Sequence, residues 1–137
     1  MAQTYIIKFS INHLYKGDDT MIKHSIVMTV EDYFLVKNYL IKLKKEGKLD
    51  NDNFLQKFYT AFALDSSLKL ERHAKLFDNP TAVVELSLDN SHTLLATIGL
   101  FCREHAIDQN KNNPQLAKAL NIIKDYISAE LMDLNNY

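Results

Sequence analysis

The fold is decided first by residues 4–30, TYIIKFSINHLYKGDDTMIKHSIVMTV. Apolar and polar side chains alternate through 4–12 and again through 21–30, and the polar turn between these runs contains Gly17. Alternation with a period of two is typical of a strand with one buried face, and two such runs across a turn predict a β-hairpin. The sequence therefore predicts that the chain begins with paired strands at 4–12 and 21–30.

After this hairpin the spacing of the apolar residues becomes helical. Thr29 and Asp32 are placed as a helix cap and the third helical residue, and Gly47 can close a helix at its other end. These signals predict a helix over 30–46. The same periodicity predicts three further helices, at 52–64, 92–107 and 114–134.

Short polar residues mark where the later helices should begin. Asp50 or Asn51 is the expected cap of the second helix, and Asn90 or Ser91 of the third. Pro114 is expected at the first position of the last helix, where its missing N–H costs nothing. These residues therefore set the predicted starts of the last three helices.

A second hairpin is expected in the middle of the chain. Residues 68–76 and 82–88 both alternate, and a turn at 77–80 separates them. Residues 66–77 contain good helix formers and are open to a helical interpretation as well. With strands at both places, the prediction is an α+β fold: an antiparallel sheet of two hairpins with about four helices packed on one face. A duplication of hairpin plus two helices would explain this order, although no residue-level repeat supports it.

Composition limits the class of protein. With 137 residues, 47% hydrophobic and 24% charged, the chain suits a single globular domain over 1–137. Cys102 is the one cysteine, so no internal disulfide can form. The first residues lack the pattern of a secretory signal, and no apolar run reaches membrane-spanning length. We therefore expect a cytoplasmic protein without a membrane partner.

The charges are uneven along a chain of net charge −1. Residues 1–64 hold nine lysines against seven acidic residues, and residues 65–137 hold seven basic against ten acidic residues. A candidate basic patch gathers on and after the first predicted helix: Lys37, Lys42, Lys44, Lys45 and Lys48. Nucleic-acid binders usually carry a strong positive charge and arginines, and this chain has only Arg72 and Arg103. Nucleic-acid binding is possible through this patch but disfavoured.

Two histidines suggest a metal site, but only weakly. With a four-residue loop in the first hairpin, His13 lies opposite His24 on the apolar face. A metal site generally needs a third protein ligand, and none is nominated by the sequence. The expectation is therefore that no metal or cofactor is bound and that these histidines finish the edge of the core.

A second constellation resembles the ingredients of nucleophilic catalysis. Cys102, His105 and Asp108 follow one another at helical spacing. One helix surface supplies neither a cleft nor free backbone donors, so we expect Cys102 in the core instead. Glu130 and Asp133, one turn apart on the last predicted helix, are expected on the solvated surface.

The function favoured by these patterns is interaction rather than chemistry. No phosphate loop, zinc spacing or nucleophile motif is present, which favours a small soluble interaction protein: an inhibitor, immunity factor, adaptor or accessory subunit, typical of compact bacterial or phage proteins. A small enzyme with a pocket of scattered His, Glu, Asp and Tyr is the alternative. An exposed sheet edge or the last helix could also pair with a second copy. The polar face of the first hairpin is the candidate interface: Lys8, Ser10, Asn12, Lys23 and Ser25.

Overall fold

The computed structural model describes residues 21–71 and 81–135. Three strands and four α-helices lie in these ranges, so the predicted α+β class is confirmed. In chain order the elements are β1 (Met21–Thr29), α1 (Val30–Lys45), α2 (Asn53–Tyr59), a π-helical segment (Thr60–Leu64), β2 (Ser67–Glu71), β3 (Thr81–Asp89), α3 (His92–Gln109) and α4 (Pro114–Asn135).

The central strand of the described sheet is β3, which pairs antiparallel with β1 on one side and with β2 on the other. Ile26 and Leu68 both lie opposite Val84, one on each side. The two outer strands are therefore held by a strand that comes after both of them in the chain.

The second predicted hairpin is confirmed where the structure describes it. Residues 67–71 form a strand rather than a helix, and β3 extends one residue beyond each predicted end. Residues 72–76 lie outside the described residues, and so does the first predicted strand at 4–12. The pairing of β1 with β3 is a finding that the local sequence pattern did not predict, because it joins segments far apart in the chain.

Local capping explains where α1 begins and ends. The Thr29 hydroxyl accepts a hydrogen bond from the backbone N–H of Asp32 at 3.1 Å, as the spacing predicts. At the other end Gly47 adopts a positive φ of 74°, and the N–H of Lys48 reaches back to the carbonyl of Leu43 at 3.0 Å. This is the Schellman arrangement, which favours glycine because a side chain would be strained there.

The cap of α2 is Asp52, and the predicted caps Asp50 and Asn51 are wrong. The Asp52 carboxylate accepts hydrogen bonds from the N–H groups of Phe54 and Leu55, at 2.9 and 3.3 Å. These are the second and third residues of the helix, which a preceding capping side chain can reach. The Asp50 carboxylate is engaged elsewhere, in an ion pair with Lys44.

The predicted helix over 52–64 changes its winding at Thr60. From there to Leu64 the turns are π-helical, and the N–H of Asp65 donates to the Thr60 carbonyl at 2.9 Å, five residues back. Such wider turns are short, and they are frequent at functional sites. Ala61, Phe62 and Ala63 are all buried here, so the segment turns consecutive small and aromatic side chains into the core.

The last two helices begin as predicted. The Ser91 hydroxyl accepts from the N–H of Leu94 at 3.4 Å, and the Asn113 side chain accepts from the N–H of Leu116 at 3.2 Å. Pro114 occupies the first position of α4. Each helix runs slightly further than predicted, to Gln109 and to Asn135.

The helices cover one face of the sheet. Apolar residues of that face share one buried cluster with residues of all four α-helices, and full burial of a large aliphatic side chain stabilises the fold by about 1.5–3 kcal/mol. Helices α3 and α4 approach closely at Gly99, where an added Cβ would lie 3.1 Å from Cγ2 of Ile127. The sheet side of the cluster consists of Ile26, Met28, Val84, Leu86 and Leu88.

Candidate functional site

The opposite face of the sheet carries the described part of the predicted interface. Lys23 is exposed and pairs with Glu85 of β3 at 3.4 Å. Ser25 is only 5% exposed and Val83 only 2%, so this face is not uniformly open to solvent. Lys8, Ser10 and Asn12 lie outside the described residues. The role of these five residues in an interface stays a prediction.

The predicted basic patch is partly compensated by its own surroundings. Lys44 pairs with Asp50 at 2.9 Å, and Lys48 pairs with Glu46 at 3.1 Å. The Lys37 ammonium lies 5.8 Å from the centre of the Phe34 ring. The remaining two members, Lys42 and Lys45, are exposed. Local pairing of this kind weakens the field that a polyanion would feel.

Cys102 belongs to the core, as expected. The side chain has no exposed surface, and burial raises the pKa of its thiol far above the ordinary value. A thiol held in its neutral form is a poor nucleophile. His105 is engaged with Tyr39 rather than with Cys102, so the three residues of the α3 stripe do not form a catalytic unit.

Tyr39 of α1 and His105 of α3 form a hydrogen-bonded pair at a half-buried position. The tyrosine hydroxyl contacts Nδ1 of the imidazole, whose ring lies against Phe101 with the ring centres 4.1 Å apart. Burial is the main cause that lowers the pKa of His105, while the nearby Asp108 raises it. Burial likewise raises the pKa of Tyr39. Burial therefore disfavours the charged form of each group.

Beside this pair lies a groove of ≈370 Å³ between α1, α2 and α3. Its lining is largely apolar, with a charged rim, and Leu100 at its edge is 53% exposed. Ile107, two helical turns further along α3, is 66% exposed. We call the groove together with Leu100 and Ile107 the α3 surface. Its apolar lining consists of Leu43, Leu49, Leu55, Leu100 and Phe101, and its polar rim of Lys48, Asp52, Thr97, Glu104 and His105.

A larger open cleft of ≈1140 Å³ lies between α2, the π-helical segment, the end of β3 and the start of α3. Its side chains are mostly short and polar, and they include Asp65, Asp89 and Lys57. Thr60 of the first π-helical turn also lines it. The cleft could hold a polar ligand, and none of the described residues that line it is a histidine or a cysteine.

A buried polar cluster joins β1 to α4. Nδ1 of His24 lies 2.9 Å from the Tyr126 hydroxyl, and Glu130 follows Tyr126 by one helical turn. His24 and Glu130 both have no exposed surface. The inward position of His24 was predicted by the alternation, but the expectation of a solvated Glu130 is wrong.

The signal for the buried position of Glu130 was present in the helical spacing. Glu130 lies seven residues after Ile123 and three after Ile127, which places it on the apolar stripe of the last helix. Its carboxyl type, rather than its position, suggested a surface location. Tyr126 lies next to the same stripe and was also overlooked.

The described histidines do not converge on one pocket. His24 lies in the core, His105 lines the groove and His92 is exposed at the start of α3. His13 and His73 lie outside the described residues. Within 21–71 and 81–135, no three His, Cys, Asp or Glu side chains are grouped to hold a metal ion.

Two further results bear on function. None of the helices in the part of the chain that the structure describes combines the length and apolar character needed to span a membrane. Comparisons with protein-family models, with curated proteins and with solved structures found no match to this chain.

Proposed function

We propose that this chain is a small interaction protein that acts by binding a protein partner at the α3 surface. The observation that carries the proposal is the exposure of Leu100 beside an apolar groove, with Ile107 exposed two turns away. Large apolar side chains grouped around a concave surface mark protein interaction sites more often than scattered ones do. The class remains that of an inhibitor, immunity factor, adaptor or accessory subunit.

The charges around the groove favour a particular partner chemistry. Glu104 and Asp108 are exposed on α3, one turn apart, and neither makes an ion pair with the described residues. A partner segment that inserts an apolar side chain beside Leu100 and carries lysine or arginine next to it would complement both features. Such complementarity speeds association and selects among partners more than it raises affinity.

A cytoplasmic location fits this proposal. The one cysteine is buried in the core and forms no disulfide with the described residues, as suits a reducing compartment. Binding of nucleic acid ranks lower, because two lysines of the basic patch, Lys44 in α1 and Lys48 after it, are paired with acidic neighbours.

The test is capture of partners from the native host with matched variants. Leu100→Asp and Ile107→Asp should lower recovery of a stoichiometric partner by tenfold or more, because each places a charge in the apolar contact. Both side chains are exposed, so each change should alter the free energy of unfolding by less than about 0.5 kcal/mol. The measurements are quantitative mass spectrometry of the captured proteins and urea unfolding of each variant.

Met132→Asp provides the control, since Met132 is 66% exposed on α4, away from the groove. It should leave capture unchanged. Equal recovery with all three variants would contradict the proposal. A dimer of the wild-type chain that dissociates only in the α3 variants would make a second copy the partner.

A further inference from the structure

The buried cluster on β1 and α4 contains two ionisable side chains without access to water. His24 is hydrogen-bonded to Tyr126 at 2.9 Å, and the rings meet edge to face at 88°. Neither carboxyl oxygen of Glu130 makes a hydrogen bond of ordinary geometry, and the neighbouring Tyr126 hydroxyl offers only a weaker polar contact. A carboxyl in this position is much less costly to bury when it is protonated.

Burial acts on the two groups in opposite directions. It lowers the pKa of His24 from 6.5 to about 4, and it raises the pKa of Glu130 from 4.5 to about 7. The charge of Asp133 adds to the rise at Glu130, and Tyr126 offsets part of it. Both groups are therefore neutral in the folded protein between about pH 4 and pH 7.

Within the described residues, the neighbouring elements bring few charged groups near this pair. Between His92 and Arg103, α3 has no ionisable side chain except Cys102, which is buried and neutral. Helix α1 brings its acidic first turn to the other end of α4, where Glu31 contacts Gln115 at 3.3 Å. Among the described residues, the side chains that act on the pKa of Glu130 are thus Tyr126 and Asp133 on α4.

We propose that His24, Tyr126 and Glu130 form a proton-exchange cluster, in which folding moves one proton from the imidazolium of His24 to the carboxylate of Glu130. In the unfolded chain at pH 5.5 the histidine carries a proton and the glutamate does not. In the folded chain the imidazolium has lost its N–H proton and the carboxylate has gained one O–H bond. The exchange passes through solvent, and the number of bound protons stays the same.

The contribution of this cluster to the contact between α4 and the sheet is therefore insensitive to pH. Stability depends on pH only where the folded and unfolded states bind different numbers of protons. Between about pH 4.5 and pH 6.5, the loss of stability that Glu130 causes as pH rises cancels the gain from His24. If only one of these two residues were present, the stability of the contact between α4 and the sheet would depend on pH.

Urea unfolding of single and double variants between pH 4.5 and pH 6.5 tests this. Relative to wild type, the unfolding constant of Glu130→Gln should fall by up to about tenfold per pH unit as pH rises, because only His24 still titrates. That of His24→Gln should rise by up to about tenfold per pH unit. The double variant should regain the wild-type slope.

Two substitutions of exposed groups serve as controls. Asp125→Asn removes an exposed carboxylate from α4, and His92→Gln removes an exposed imidazole, and neither should change the slope. A Glu130→Gln profile that follows the wild type would overturn the proposal.

A direct measurement decides the matter if His24→Gln fails to fold. In the wild-type protein at pH 5.5, the carbon-13 signal of the Glu130 carboxyl and the nitrogen-15 signals of the His24 ring should both be those of neutral groups. An ionised carboxyl or a protonated ring at that pH would contradict the inference.

Discussion

Two tyrosine–histidine pairs in this molecule are chemically alike but lie in different environments. Tyr126 and His24 join α4 to β1 inside the core, whereas Tyr39 and His105 join α1 to α3 at the edge of a groove. The first pair has almost no contact with water, and the second is half-buried. Burial lowers the pKa of both histidines, but only His24 is shifted far, to about 4. In both pairs burial is the main cause of the lowered histidine pKa, and the more deeply buried His24 has the larger shift.

The largest expected effect on the unfolding free energy comes from Glu130, whose carboxyl lies beside the buried pair of His24 and Tyr126. Replacing Glu130 by methionine removes a group whose pKa is raised from 4.5 to about 7, which corresponds to about 3 kcal/mol. A raised folded pKa costs nothing below about pH 4.5, and the cost grows as pH rises and is complete above about pH 7. The gain in unfolding free energy from Glu130→Met should therefore be about 3 kcal/mol greater at pH 8 than at pH 4, as measured by urea unfolding.

The exposed counterpart is Asp108, which lies near His105. Asp108→Asn should change the unfolding free energy by less than about 0.5 kcal/mol at either pH, because water solvates that carboxylate. If Glu130→Met raised the unfolding free energy equally at pH 4 and pH 8, the contrast between the buried and the exposed carboxyl would be contradicted.

Removal of the two tyrosine hydroxyls should give a smaller but still unequal effect. Tyr126→Phe deletes the buried bond to His24 and should lower the unfolding free energy by about 1–3 kcal/mol. Tyr39→Phe should cost less than about 1 kcal/mol, since water can reach the half-buried His105. Thermal unfolding of both variants at one pH is the measurement, and equal losses would show that burial is not the deciding factor.

The smallest expected effect is the difference between the pKa values of His24 and His105. The pKa of His105 should lie below the ordinary histidine value but should be lowered less than that of His24, which is about 4. Nitrogen-15 chemical shifts of the imidazole rings, recorded from pH 3.5 to pH 8, would follow both residues in one sample. Coincident titration curves would contradict the assignment of the shift to burial.

Much of the fold was predictable because its signals are local. Thr29, Ser91 and Pro114 mark helix starts through bonds that span three residues, and alternation located β1 and β3. The change to π-helical winding at Thr60 has no such local mark, and it occurs where Ala61 and Phe62 are both buried. The pairing of β1 with β3 is likewise set by the assembled core rather than by neighbouring residues.

The candidate sites were harder to predict than the fold. The position of His24 followed from strand alternation, but its partner Tyr126 is more than a hundred positions further along the chain. Glu130 was misplaced because a carboxyl is seldom fully buried, although its spacing pointed inward. The α3 surface depends on how three helices enclose a groove, and spacing along the sequence does not indicate such a shape.

The central position of β3 has a consequence for the order in which the protein can assemble. During synthesis β1 and β2 leave the ribosome before the strand that pairs with both, so neither edge has its β3 partner until residue 89 has emerged. Helix α1, whose bonds are local, can form earlier. Sheet closure over such a long loop is expected to be the slow step of folding, and an interruption of translation before β3 would leave β1 without β3 and open to pairing between chains.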